Sequence, residues 1–255
     1  MSKQKITIAL LLLAAGYLAA GFINKDPQVH IYMAGDSTMS DKAKSARPEM
    51  GWGTRMNDFF DSTVVIVNKA QNGRSTKTFI QDGLWRYISE NATRGDYVLI
   101  QFGHNDEVPS KSSYTSEDEF RENLEMMVFS VRKKEAIPVL ITPVARRKFD
   151  SLGKTVDTHV QYAAVMRLVA NKHKVTLIDL GKESQLLLEK FGVEDSRYLF
   201  NHLLPGQNPN YPEGKIDDTH LNELGARKMA QIVLKDLRKI FPDLNKRVVK
   251  SNWGK

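Results

Sequence analysis

Four short blocks of this chain carry side chains that could do chemistry together. They are Gly35-Asp36-Ser37-Thr38, Asn72-Gly73-Arg74-Ser75, Gly103-His104-Asn105-Asp106 and Asp217-Asp218-Thr219-His220. Ser37 offers a hydroxyl, which is a weak nucleophile until a neighbouring base takes its proton. His220 is the best candidate for that base. Asp217, three residues before it, is near enough in a tight turn to accept the imidazole Nδ1–H. Asp218 competes for the same role, and spacing leaves the choice open. Gly73 has no side chain to keep a substrate oxygen from its N–H, and Asn105 carries a side-chain amide. With the Ser37 N–H they make three donors for charge that develops only in a tetrahedral intermediate. These are the parts for acyl transfer by an activated serine.

Each block also has a plainer reading. Gly-Asp-Ser is a common turn, with Asp36 bonding loop amides. Gly73 could be a turn glycine at positive φ, and Asn105 could bond its own loop. The acids before His220 could simply favour a helix N-terminus. His30, His159 and His173 fall on strand or helix faces and read as structural. No His-rich or His/carboxylate spacing suggests a metal cluster.

The elements around the blocks favour the chemical reading. Three of the four follow apolar, β-branched runs, where an open α/β sheet places its ligand crevice. Strands are predicted at Val29–Met33, Val64–Val67, Tyr97–Phe102, Pro138–Thr142 and Val175–Asp179. Helical patterns cover Trp52–Phe60, Phe79–Ser89 despite Gly83, Ser116–Glu135, Val156–Lys172, Lys182–Phe191 and Glu223–Ile240. Asn222 is placed to cap the last of these, with Leu224, Met229, Ile232, Val233 and Leu237 facing inward. Five strands separated by helices imply a parallel sheet with helices on both faces. The irregular stretch Arg197–Lys215 precedes the last block and is expected to wall the site.

Bulk properties narrow the function. The chain has 255 residues, 41% of them hydrophobic, enough for one large domain with a full core. Lys3 and Lys5 precede the uncharged stretch Ile6–Ile23, which ends in small residues. That pattern reads as a secretory signal, with an uncleaved anchor as the alternative; either exports residues from about Asn24 onward. Cysteine is absent, which excludes thiol nucleophiles and thiolate metal sites. The formal charge of +7 fits attraction to polyanions. No basic stripe interleaved with aromatics points to nucleic acid, so an acidic polysaccharide is the better partner.

In its order of Ser37, Gly73, Asn105 and His220, the chain resembles the SGNH (GDSL-type) hydrolases. The match runs from the first strand to the last helix. The resemblance implies a three-layer α/β/α sandwich with a five-stranded parallel sheet, of the flavodoxin-like kind, over residues 24–255, with residues 1–23 as signal peptide or anchor. It implies Ser37 as nucleophile, His220 as base and Asp217 as its partner, since the family pattern D-x-x-H selects Asp217. Ser37, Gly73 and Asn105 would form the oxyanion hole, and no metal or cofactor would be needed. Finer details resemble the rhamnogalacturonan acetylesterase branch: Ala34 to Met39, Asn68-Lys69-Ala70 leading to Gly73-Arg74-Ser75-Thr76, the His of Gly103-His104-Asn105-Asp106, and Thr142 to Arg147.

The expected activity is therefore that of an exported esterase removing acetyl groups from acidic, pectin-type polysaccharide or its oligomers. His104, Arg74, Arg146 and Arg147 are candidate substrate contacts, the arginines pairing with uronate carboxylates. Trp52 and Tyr211 are candidates for stacking on sugar faces. The alternatives are a lipase, lysophospholipase or thioesterase of the same family, which would need a long apolar groove, and a carbohydrate-binding protein without catalysis. No membrane partner is expected for residues 24–255 once the N-terminal segment is removed.

Overall fold

The computed structural model describes residues 28–249. The expected signal peptide or anchor, residues 1–23, lies outside the described residues. Five strands, β1 (Val29–Gly35), β2 (Val64–Asn68), β3 (Tyr97–Gln101), β4 (Ile137–Ile141) and β5 (Thr176–Ile178), form one parallel sheet. Their ends differ from the sequence prediction by one or two residues. The spatial order is β2-β1-β3-β4-β5. The chain leaves β1 on one side to make β2 and returns on the other to make β3. The strand order reverses there, so the carboxyl ends of β1 and β3 open the crevice that such a reversal creates.

Side-chain alternation along the strands feeds two cores. Ile31 and Met33 of β1 join Leu99, Val139 and Ile141 on one face, while Tyr32 and Ala34 join Val98, Ile100 and Leu140 on the other. The second face is covered by α1 (Thr76–Gln81), α2 (Leu84–Asn91), α3 (Glu117–Lys133) and α4 (Val160–His173), through Phe79, Trp85, Phe120 and Met166. The first is covered by a 3-10 segment (Trp52–Phe59), α5 (Leu180–Asp195), α6 (Glu223–Ile240) and the short α7 (Pro242–Lys246), through Trp52, Leu188, Met229 and Leu244. The result is the three-layer α/β/α sandwich. Each fully buried Phe or Leu contributes about 1.5–3 kcal/mol, and both layers hold the sheet between them. No helix among the described residues is long and apolar enough to cross a membrane.

Several predicted helices differ in detail. Trp52–Phe59 closes as 3-10 turns, because Gly53, Thr54, Asn57 and Asp58 are weak helix formers. The predicted helix through Gly83 is two helices, split where Gly83 takes φ 75°. α4 starts at Val160 rather than Val156, because an antiparallel bridge between Phe149 and Thr155 holds the chain before it. α5 runs from Leu180 through a kink at Gly192. α6 has the predicted bounds, and the Asn222 side chain accepts from Gly225 N at 3.1 Å. Leu224 is exposed rather than inward, and Ala226, Ala230 and Leu234 pack in its stead.

Candidate active site

Ser37 sits one turn beyond the end of β1. The turn is held by its own residues: Thr38 N and Oγ1 donate to Asp36 Oδ1 at 2.9 and 2.8 Å. Gln101, at the end of β3, donates to Thr38 Oγ1 at 2.6 Å and accepts from Trp52 Nε1 at 2.6 Å. A buried polar chain thus locks the turn to the neighbouring strand. Trp52 is fully buried in it, a packing and hydrogen-bonding residue with no face open to a sugar. Sequence reasoning missed Gln101, which carries no motif signal.

The loop before α6 brings His220 onto Ser37. Ser37 Oγ lies 3.0 Å from His220 Nε2, across 183 residues of chain. His220 Nδ1 lies 2.8 Å from Asp217 Oδ2. The N–H groups of Thr219 and His220 both donate to Asp217 Oδ1 at 2.9 Å. Burial by itself raises the Asp217 carboxyl, but the bonds from the His220 side chain and backbone and from Thr219 outweigh it and hold Asp217 well below the usual carboxylate range. An ionised Asp217 requires Nδ1 to carry the proton, which leaves the Nε2 lone pair facing the serine hydroxyl. Asp218 points elsewhere: its Oδ1 accepts from Arg147 Nη1 at 3.0 Å and pairs with His202 Nε2 at 2.8 Å.

The donor side is assembled from the loops after β2 and β3. Gly73 takes φ 75°, and a Cβ there would meet nothing within 4 Å, so the backbone is open on that side. Asn105 Nδ2 donates to the Arg74 carbonyl at 3.1 Å, which uses one of its two N–H groups. Asp106 ties these loops together. Its Oδ1 accepts from Thr76 N at 2.8 Å, Thr76 Oγ1 at 2.6 Å and Thr115 Oγ1 at 3.0 Å, and its Oδ2 from Gly103 N at 3.1 Å. Complete burial pushes the Asp106 carboxyl up to about 7 against the pull of those donors.

Ser37, Gly73, His104, Asn105, Arg146 and His220 line one cavity of about 340 Å³, together with Glu49, Asn72, Lys111 and Thr219. Glu49 lies outside every sequence motif. It pairs with the buried Lys42 at 2.8 Å, and Lys42 Nζ also donates to Asn72 Oδ1 at 2.6 Å. Glu49, Asp217 and His220 offer ligand atoms within 4.8 Å of one another, a grouping that could hold a metal ion. Lys215 Nζ stands 3.6 Å from Glu49 and 3.3 Å from Asp217, so with Lys42 two ammonium groups already balance the two acids. Lys42 and Glu49 are far in sequence from Lys215 and Asp217, and no local pattern announces their meeting.

The three arginines are all engaged with protein acids. Arg74 Nε meets Asp82 Oδ2 at 2.6 Å. Arg146 meets Glu107 at 3.2 Å and donates to Thr219 Oγ1 at 2.8 Å. Arg147 meets Asp218 and donates to the Val193 carbonyl and Ser196 Oγ. Arg146 lines the cavity; Arg74 and Arg147 are not among its lining residues. His104 is buried, 3.4 Å from Asp36 Oδ2, with its ring 4.2 Å from that of His159. Burial first, and His159 next, push the His104 imidazole down to about 4. His159 Nδ1 lies 2.8 Å from Glu107 Oε2, so this histidine supports the ion pair of Arg146. Arg197–Lys215 walls a separate cavity of about 510 Å³ beside the site, while its last residue, Lys215, reaches Asp217. Tyr211 is tied by its hydroxyl to the Ala46 carbonyl at 2.9 Å.

A doubly wound α/β sandwich with serine, histidine and aspartate aligned at the carboxyl edge of its sheet defines the class of serine acylhydrolases built on an open sheet. The chain belongs to the GDSL-like Lipase/Acylhydrolase family, the SGNH hydrolases, whose pattern matches residues 33–228. It is 37% identical over 227 residues to the rhamnogalacturonan acetylesterase RhgT of Bacillus subtilis (strain 168), covering 89% of this chain and 97% of that one. The probable rhamnogalacturonan acetylesterase YesY of the same strain is 30% identical over 223 residues, covering 87% of this chain and 98% of YesY. The crystal structure of the Bacillus subtilis protein YXIM is similar with a TM-score of 0.72 at 29% identity, covering 83% of this chain and 56% of that one.

Proposed function

We propose that this acylhydrolase is an exported acetylesterase acting on an acidic plant cell-wall polysaccharide of the rhamnogalacturonan type. The observation that carries the reading is the alignment of Ser37, His220 and Asp217, at 3.0 and 2.8 Å, in a small cavity lined by polar and charged groups. The names of two relatives, both rhamnogalacturonan acetylesterases or probable ones, support the substrate class. The apolar run at residues 6–23, after Lys3 and Lys5, supports export.

In the first half-reaction Ser37 Oγ attacks the acetyl carbonyl carbon as His220 Nε2 takes its proton. The carbonyl oxygen gains charge toward the N–H groups of Ser37 and Gly73 and the free N–H of Asn105 Nδ2. Asp217 stabilises the imidazolium. The tetrahedral intermediate collapses, the ester C–O bond breaks, and the sugar alcohol leaves with the proton from Nε2. In the second half, water gives its proton to Nε2 and attacks the acetyl-serine. Ser37 then leaves with that proton, and acetate is released. A lipase or thioesterase would need an apolar groove for a long acyl chain, and the lining beside Ser37 offers none.

The test is acetate release from acetylated pectin, acetylated xylan and simple esters, wild type against Ser37→Ala. Serine-dependent release, highest on pectin, is expected. A clear preference for acyl chains of about eight carbons or more, which bind through buried methylenes, would point to the lipase reading. Export is tested separately by sequencing the N-terminus of the protein recovered outside the cytoplasm.

A further inference from the structure

We infer that Lys111 is the group that binds a uronate carboxylate next to the acetylated sugar, and so sets selectivity for acidic over neutral glycans. The inference rests on the acetylesterase reading above and deepens it. Its starting point is the charge inventory of the cavity. Arg74, Arg146 and Arg147, the cations that sequence reasoning assigned to uronates, each face a protein carboxylate, in Asp82, Glu107 and Asp218. The carboxylates of Glu49 and Asp217 are balanced by the ammonium groups of Lys42 and Lys215. Lys111 also lines the cavity and is exposed, yet no ion pair among the described residues engages its ammonium. It is the lining charge left without a partner, and a sugar carboxylate is the partner it fits.

The loop that carries Lys111 gives it a fixed place relative to the reacting centre. Lys111 N donates to the Val108 carbonyl at 3.0 Å, and Tyr114 N donates to the Lys111 carbonyl at 3.0 Å, so tight turns hold the backbone on both sides. Ser113 Oγ bonds the Asn105 carbonyl at 3.3 Å, and Thr115 N bonds the Asp106 carbonyl at 3.0 Å. The loop therefore leaves from, and returns to, the block that supplies the Asn105 amide. A carboxylate held by Lys111 would fix the register of the sugar chain, and hence which ester meets Ser37. An ammonium on a flexible stem suits this task, since it binds as a point charge and tolerates several sugar orientations.

The test pairs binding with kinetics. Calorimetry measures unacetylated tri-galacturonate binding to wild type, Lys111→Ala and Lys111→Arg. The expected loss in Lys111→Ala is about 5- to 20-fold in affinity, between an exposed ion pair and a buried charge-assisted hydrogen bond. The Lys111→Arg variant is expected to keep most of the affinity. At about 1 M salt, where the Debye length is roughly 3 Å, the wild-type advantage should disappear. In kinetics, the ratio of kcat/KM for an acetylated uronate-bearing oligosaccharide to that for acetylated xylo-oligosaccharide should fall by a similar factor. Unchanged affinity and an unchanged ratio overturn the inference. Should wild type release acetate from neither substrate, the esterase reading fails, and the tri-galacturonate binding comparison still decides the role of Lys111.

Discussion

Arg146 and Thr219 are joined by a 2.8 Å hydrogen bond between a guanidinium anchored near the end of β4 and the residue that precedes the candidate base. The same guanidinium meets Glu107 at 3.2 Å and approaches the His104 carbonyl at 3.5 Å. One side chain therefore spans from the block holding Asn105 to the loop holding His220. Glu107 is steadied in turn by His159. Arg146 is positioned to set how far Asn105, a candidate oxyanion donor, stands from His220, the candidate base.

Arg146→Ala is expected to lower kcat about 10- to 100-fold, the scale of a small misplacement of a reacting group. The readout is para-nitrophenyl acetate, whose acyl part reaches the serine without sugar contacts. Arg146→Lys should recover only part of the rate, because an ammonium cannot span the same partners. A change confined to KM on polysaccharide would make Arg146 a sugar-binding residue instead.

Asp217 and Asp218 occupy opposite sides of one turn and have different partners. Asp217→Asn should reduce turnover by about 10³-fold or more, because the amide favours the wrong imidazole tautomer. Asp218→Asn should leave turnover within a few-fold and lower stability by about 1–3 kcal/mol, as Arg147 and His202 lose a charged acceptor. Steady-state kinetics and urea unfolding on both variants check this, and the reverse ranking would reassign the acid.

Asn105→Ala is expected to cost about 10²–10³ in kcat with little change in KM, the pattern of a donor used in the transition state. Its side chain also bonds the Arg74 carbonyl, so a melting temperature accompanies the kinetics. A loss in melting temperature without the loss in kcat would make Asn105 a loop-bonding residue.

His104 gives the protein a pH signature. Its imidazole is held down at about 4 by burial and by His159, whereas an unfolded histidine titrates at roughly 6.5. Between those values the unfolded chain binds a proton that the folded chain refuses. The contribution of His104 to stability is therefore full above about 6.5 and is lost as the pH falls toward 4. The stability gap between wild type and His104→Gln should narrow by urea unfolding over that window. A constant gap would mean that His104 is not buried as a neutral ring.

The fold was legible because its cues are local. Val64–Asn68 and Tyr97–Gln101 are short β-branched runs bounded by turn residues, and Asn222 caps α6 from its own next turn. The misjudged helices lie where neighbours or single backbone angles decide: Gly83 at positive φ, and Val160 waiting on the bridge between Phe149 and Thr155. Leu224 follows the same logic. Apolar spacing places it on the inner stripe, and packing in the folded chain selects Ala226, Ala230 and Leu234 instead.

The sequence by itself determined the family, the sheet with its helices, and which side chains could act as hydroxyl, base, acid and donors, because those properties reside in residue type and in spacing a few residues long. Only the tertiary structure decided that Asp218 turns to Arg147 and His202, that the arginines are already paired, that Lys42, Glu49 and Lys215 form a charge network beside the acid, and that Lys111 has no ion pair among the described residues. Those outcomes depend on which charges meet across the folded chain. An ion pair between residues as distant as Glu49 and Lys215 leaves no mark in local sequence, since it exists only once the sheet has brought the loops together.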